Sequence, residues 1–346
     1  MKVLLTGHRG YIGSVLAPML REHGHEVVGL DSDLFDGCDF DVLDDIPSLR
    51  IDLRDVEADH LVGFDAVLHL AALSNDPLSD LDPNLTYEIN HRASVRLARL
   101  AKQAGVRRFI FSSSCSLYGA AGDDHLDETA AFNPVTAYGE SKVLVERDVR
   151  PLADESFTPT FLRNATAYGV SPRLRGDLVV NNLVGYAFTT GEVLIKSDGT
   201  PWRPLVHLRD IAAAFIAVLH APREVVHNES FNVGQTSENY RIREVAEMVR
   251  EVVPGSTVTY AADGGPDLRC YRVDCSKIAR LLPEFRPAWT VRRGIEELYA
   301  AYQHNGLTLE DLQGARYIRI ATIRGLMSAG ELDHSLRWRA AALAGA

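Results

Sequence analysis

Two hydrophobic periods divide most of this chain. Runs of strand length, from Lys2 to Thr6, Glu26 to Leu30, Asp65 to Ala72, Arg108 to Phe111, Thr158 to Arg163 and Ser230 to Val233, are apolar almost throughout, as strands buried on both faces are. Between them apolar positions recur at helical spacing: from Gly13 to about Glu22, from Thr86 to Ala104, from a start near Pro134, and from Arg209 to His220. Strand and helix in regular succession predict one large α/β domain. A further helix, Ile242 to Val252, and strand, Thr257 to Tyr260, predict a smaller lobe. Near the end, Tyr317, Ile320, Ile323, Leu326 and Met327 again fall at helical spacing; such a helix could cover the lobe, meet a second subunit or shape a pocket.

Composition fits this picture and removes some function classes. With 46% hydrophobic residues in 346 the chain can bury a large core, and no apolar run approaches the length that spans a membrane. Met1-Lys2 leads directly into the first strand, so no signal peptide is expected, and the four cysteines (Cys38, Cys115, Cys270, Cys275) have no metal-ligand spacing; reduced thiols in a cytoplasm, and no metal, are the expectation. A net charge of −11 without a basic cluster argues against nucleic acid as a partner, while a few local arginines leave room for a small anionic substrate.

Two stretches carry the chemistry. After the first strand, Gly7-His8-Arg9-Gly10-Tyr11-Ile12-Gly13 turns into a helix: Gly7 permits a tight turn, Gly10 a close approach to a pyrophosphate, and Gly13 close packing of helix on strand. Asp31 ends the second strand, where a carboxylate accepts hydrogen bonds from ribose hydroxyls and repels a 2′-phosphate, so NAD is favoured over NADP; Arg9 in the glycine loop could instead serve that phosphate. In the second stretch Phe111 leads into Ser112-Ser113-Ser114-Cys115-Ser116, and further on Tyr138 and Lys142 leave one helix face. A lysine ammonium and a positively charged cofactor ring would bring a tyrosine phenol from its usual pKa of ~10 toward working pH, with Ser114 holding the substrate oxygen.

These motifs, in this order, resemble the extended short-chain dehydrogenase/reductases, the nucleotide-sugar epimerases and dehydratases, from residue 2 to about residue 300. The resemblance implies a doubly wound parallel sheet (Rossmann) with a smaller α/β substrate-binding lobe. The boundaries expected are 1–165 with 206–235 for the dinucleotide, 166–205 with 236–305 for the substrate, and a helical extension over 306–346. It implies a Ser114-Tyr138-Lys142 catalytic set, with NAD also held by Gly7, Gly10, Tyr11, Ile12, Gly13, Asp31, Asp52, Leu53, Leu70, Ala71 and Ala72. The acidic segment Asp33 to Asp45 reads as a loop over the cofactor, and Leu73 to Pro77 belongs to the cleft. Asn90 matches a family asparagine, with a direct role and a backbone-holding role both open. Asn164, Asn182, Arg203 and Arg269, or Arg272 in its place, match positions that hold a sugar diphosphate; His207 reads as structural.

Cys115-Ser116 stands where similar 4,6-dehydratases carry an acid and a base, which disfavours dehydration, and Cys115 reads as a small buried hydrophobe. What remains resembles the UDP-galactose 4-epimerase type: NAD-dependent epimerisation, at C4, of a nucleotide-diphosphate sugar by a homodimer. A 4-ketoreductase with the same three residues is the alternative, and a non-catalytic dinucleotide sensor has no need of them.

Overall fold

Continuous apolar strands require cover on both faces, and the computed structural model, which describes residues 1–261 and 270–339, supplies it. Seven parallel strands, β1 (Lys2–Thr6), β2 (Glu26–Asp31), β3 (Ser48–Arg50), β4 (Ala66–His69), β5 (Arg108–Ser114), β6 (Thr158–Asn164) and β7 (Glu229–Val233), lie in the order β7-β6-β5-β4-β1-β2-β3. Successive side chains on a strand go to opposite faces. Leu5, Leu68, Ile110 and Leu162 therefore pack with helices α1 (Gly13–Glu22) and α5 (Leu208–His220), while Leu4, Val67, Phe109 and Phe161 pack with α2 (Ala93–Gln103) and α3 (Ala137–Val149). All seven residues of β6 are buried. Strand order reverses between β1 and β4, and there the carboxyl ends open a crevice.

The smaller lobe is built on the strand Trp202–His207, which pairs in parallel with Thr166–Tyr168 and antiparallel with Asn239–Arg241. A second pair joins Glu192–Ile195 to Thr257–Tyr260. Helices α4 (Val179–Thr190), α6 (Ile242–Val252) and α7 (Val291–Asn305) share one apolar core with it. His207 is buried there, stacked 3.9 Å from Trp289 and bonded to Glu297 at 2.8 Å, a structural placement. The last described helix, α8 (Arg319–Ser328), returns to the large domain: Ile323, Leu332 and Leu336 pack on Leu73, Leu78 and Leu85, with Phe35 and Trp338 at the edge.

Two expected helices come out differently. The run from Thr86 to Ala104 is not one α-helix; a π-helical turn, Tyr87–Arg92, precedes α2 and aims the Asn90 amide at the Leu73 backbone, accepting from its N–H at 2.8 Å and donating to its carbonyl at 3.0 Å. The helix sought near Pro134 begins at Ala137, because the Thr136 hydroxyl caps it by accepting from Gly139 N–H at 3.2 Å and donates to Asp76 at 2.7 Å.

Behind the crevice, Glu146 of α3 meets Arg163 of β6 through bonds of 3.0 and 2.7 Å, with side chains 1% and 3% exposed, and accepts the Ser113 hydroxyl at 2.7 Å. Replacing Glu146 by alanine leaves a buried guanidinium uncompensated. It is expected to lower stability by about 3–5 kcal/mol in urea unfolding, and a loss under about 1 kcal/mol would show that the pair does not brace α3 against the sheet.

Candidate active site

A cavity of about 860 Å³ runs along the carboxyl ends of β1, β4 and β5 and reaches under the smaller lobe and α8. At one end the glycine loop leaves β1. Gly7 has φ +73°, and a Cβ there would stand 2.8 Å from the Ala71 nitrogen; a Cβ at Gly13 would stand 2.1 Å from the Gly7 carbonyl. Only bare backbone fits, and α1 starts with no side-chain cap, so the positive end of its dipole is open to an anionic group, although Ser14 and Val15 N–H already bond the Gly10 and Ile12 carbonyls at 3.0 and 3.1 Å. Tyr11 is buried and donates to Gly169 O at 2.7 Å, tying the loop to the smaller lobe, while Gly10 and Ile12 line the cavity.

Asp31 lines the cavity at the end of β2, its oxygens accepting from the N–H groups of Arg9 at 3.0 Å and Asp33 at 3.1 Å. The Arg9 guanidinium, on the same wall, is turned to Asp33 and Asp36, at 3.6 and 3.4 Å. Asp52 and Leu53 also line the cavity, yet both Asp52 oxygens are engaged by Arg54, at 2.9 and 2.6 Å. Leu70, Ala71 and Ala72 form the wall after β4. Bare glycine backbone, an uncapped helix start and a carboxylate at the second strand's end suit a dinucleotide, and Asp31 suits one without a 2′-phosphate.

Ser114, Tyr138 and Lys142 meet midway along the cavity. Lys142 Nζ donates to the Ser112 carbonyl at 2.7 Å and sits 5.4 Å from the Tyr138 ring centroid. Burial lowers its pKa to about 7, against the charge of Glu146 one turn on. Burial likewise pushes the Tyr138 phenol up to about 12; its hydrogen bond with Ser114 and the charge of Arg175 pull it back, and Asp76 opposes them. In the protein the phenol is thus set by burial, Ser114, Asp76 and Arg175, while Lys142 Nζ is committed to the Ser112 carbonyl; the expected lowering also calls on the charge of a cofactor ring. Ser114 also accepts from Ser116 N–H at 3.1 Å and lies 3.0 Å from its hydroxyl. Cys115 points into the core, its thiol 3.1 Å from the Arg163 carbonyl and raised well above its usual pKa by burial.

At the other end Asn164, Asn182 and Arg203, anticipated for the substrate, line the cavity, each with bonds of its own. Asn164 Nδ2 donates to Ser112 Oγ at 3.0 Å and Ser113 O at 3.3 Å, leaving a buried Oδ1 without a partner; what it offers is an acceptor, which suits a hydroxyl and not a phosphate oxygen. Asn182 Nδ2 donates to Gly176 O at 2.7 Å. Arg203 is buried, lines the cavity and donates to the Trp202 carbonyl at 2.8 Å. Arg269 lies outside the described residues, and Arg272 stacks over Trp202 at 4.8 Å without lining the cavity.

Residues not anticipated complete the wall. Arg175 is bonded to Asp177 at 3.0 and 3.1 Å and to the Ser74 hydroxyl at 3.3 Å, and Asn75 also bonds Asp177. Arg173 pairs with Asp36 and Asp39, each at 3.2 Å, which pins the acidic segment after β2 along the cavity edge. Arg319 of α8 lines the cavity too. The signals were two arginines in a Pro- and Gly-bearing loop, and one arginine four residues before Ile323 on an apolar helix face.

The chain was then compared with known proteins. Residues 3–234 match the model of the NAD dependent epimerase/dehydratase family. The chain belongs to that family. A UDP-glucose 4-epimerase of Corynebacterium glutamicum is 32% identical over 267 residues, 73% of this chain and 80% of the relative; one of Bacillus subtilis is 28% identical, over 87% and 95%. Among solved structures, MoeE5 in complex with UDP-glucuronic acid and NAD superposes with a TM-score of 0.77 at 28% identity, covering 88% of this chain and 99% of that one. This family member is an enzyme with a Rossmann domain, and NAD is its cofactor.

Asp31→Ala is expected to weaken NAD and to improve NADP relative to it, read by calorimetric titration of protein stripped of cofactor; an unchanged preference would place the selection elsewhere. A second expectation follows from Lys142. The folded protein releases its proton near pH 7 and an unfolded lysine near 10.5, so between these values the unfolded chain binds more protons and stability rises with pH. Lys142→Met should therefore be more stable than the wild type at and below pH 7 and lose that advantage by about pH 10. An advantage constant across pH in urea unfolding would mean that burial does not lower the lysine's pKa.

Proposed function

We propose that the enzyme interconverts nucleotide-diphosphate sugars epimeric at C4 through a transient 4-keto sugar. The observation that carries this reading is the Ser114, Tyr138 and Lys142 set beside a Cys115 buried in the core and a Ser116 hydroxyl that accepts from Ser114. That set moves one proton. It has no acid and base at the two following positions with which to expel water from a neighbouring carbon. The kinship with UDP-glucose 4-epimerases supports the same reaction class.

In this mechanism Ser114 holds the C4 oxygen and Tyr138 removes its proton. NAD, held by the glycine loop and Asp31, would supply the hydride acceptor and donor. Lys142, fixed by Ser112 O, would hold the ribose of the cofactor and, in its charged form, favour the phenolate. Tyr138 returns the proton after the keto sugar has turned over in the cavity. Asn182 and Arg203 hold the diphosphate while the sugar turns, and Asn164 accepts from a hydroxyl.

A 4-ketoreductase would use the same residues but must exchange its cofactor each cycle. Here the segment after α8 reaches back beside the end of β2, an arrangement that favours retention: Trp338 Nε1 donates to Ser32 O at 2.6 Å and Arg337 Nη2 reaches Asp55 at 3.0 Å. Purified without added dinucleotide, the protein is expected to carry NAD and to equilibrate a 4-epimeric pair of nucleotide sugars without net NADH. Stoichiometric oxidation of added NADH or NADPH by a 4-keto sugar, with no epimerisation of any saturated one, would replace this reading. Tyr138→Phe should reduce turnover roughly 100- to 10,000-fold with cofactor still bound; activity within about threefold of wild type removes the tyrosine from proton transfer.

A further inference from the structure

The last residue of β4, His69, is buried and does not line the cavity, yet it directly precedes Leu70, Ala71, Ala72 and Leu73, which do. Its Nδ1 lies 2.7 Å from the Thr6 hydroxyl and its Nε2 2.7 Å from the Ser94 hydroxyl. The neighbours decide which nitrogen carries the proton. Ser94 donates its one hydrogen to the Asn90 carbonyl at 2.7 Å, so it accepts from an Nε2–H. Thr6 Oγ1 accepts the N–H groups of Leu70 and Ala71, both at 3.2 Å, and sends its own hydrogen to the bare Nδ1. Only this tautomer gives each short contact one hydrogen. Burial and the charge of Lys142 push the imidazole down to about 3, so it stays neutral at working pH.

Both ends of the wall hang on this chain of bonds. Thr6 holds the start, at Leu70 and Ala71, and Asn90 holds the finish, bonding both backbone groups of Leu73 at 2.8 and 3.0 Å. His69 joins the two anchors, through Thr6 on one side and through Ser94 to the π-helical turn on the other. The same turn touches the reacting helix. Asn90 Nδ2 donates to Ser141 Oγ at 3.4 Å, and Ser141 donates to the Tyr138 carbonyl at 2.7 Å. The imidazole also stands 5.6 Å from the ring of Phe111, against which Lys142 Nζ lies at 4.6 Å. We infer that His69 is a positioning residue: held as the Nε2–H tautomer, it fixes the cofactor wall Leu70 to Leu73 at both ends and sets it against α3, which carries Tyr138 and Lys142. A protonated ring, or the Nδ1–H tautomer, would turn an N–H on Thr6, whose oxygen already accepts twice, and so loosen the first two residues of the wall. The inference rests on the reading of this cavity as the NAD site and not on which sugar reacts.

Two measurements test it. Proton–nitrogen correlation spectra of the NAD-loaded protein, isotope-labelled in its histidines, should show a ring with a protonated Nε2 and a bare Nδ1 that does not titrate between about pH 5 and 8. Its signal is identified by its absence in a His69 variant. Calorimetric titration of NAD into stripped His69→Phe, which keeps an aromatic ring beside Phe109 and Phe111 and loses both bonds, should read an affinity about tenfold below wild type. His69→Asn, which returns an acceptor toward Thr6, should bind NAD about threefold more tightly than His69→Phe. A His69 ring that carries its proton on Nδ1, or that titrates near the usual ~6.5, overturns the proposal. So does NAD affinity within about twofold of wild type in His69→Phe. An asparagine variant that binds no better than the phenylalanine one also overturns it, since packing of the ring and not its hydrogen bonds would then be the requirement. Should His69→Phe fail to fold, Ser94→Ala, which leaves the Nε2–H without its acceptor, takes its place: a loss of about threefold or more is expected, and unchanged NAD affinity sinks the idea. None of these readings requires turnover, so a protein that meets them yet epimerises no nucleotide sugar would refute the epimerase reading alone.

Discussion

A lysine held in the protein interior sets the terms for this structure. Lys142 Nζ is fixed to the Ser112 carbonyl at the exit of β5, where water cannot solvate it, and the surroundings must make its placement tolerable. Glu146 lies one turn further along α3 and returns some of the lost stabilisation of charge. Glu146 is itself affordable only because Arg163 on β6 and Ser113 on β5 saturate its oxygens. Thr136 starts the helix where Tyr138 and Lys142 both reach the cavity. Strand exit, helix start and buried ion pair thus form one arrangement that sets Tyr138 and Lys142 side by side on the cavity wall.

Much of this was legible in the sequence because period and punctuation agree. Continuous apolar runs separated by helical stretches announced a sheet covered on both faces, and Gly7, Gly10 and Gly13 announced where backbone had to come close to backbone. The π-helical turn at Tyr87–Arg92 was not legible, since its residues suit an ordinary helix and only the pull of the Leu73 backbone on Asn90 favours the wider turn. The partners of the arginines were hidden for a different reason. Arg173 meets Asp36 and Asp39 across more than a hundred residues, and nothing in either local pattern names the other.

Asn164 and Asp52 show a subtler limit. Sequence places the right side chain at the right wall, but which of its atoms remains free depends on neighbours. Two donations fix the Asn164 amide so that an acceptor is left, and Arg54 occupies the Asp52 carboxylate. A residue's type gives its repertoire; its packing decides which part of the repertoire a ligand meets.

The indole of Trp338 bonds the carbonyl of Ser32 across 306 residues of chain. During synthesis β1, α1 and β2 emerge first, while Trp338, the partner of Ser32, is made much later. The bond therefore joins an early-made edge of the cavity to a late-made segment, and it forms only when both have folded against each other.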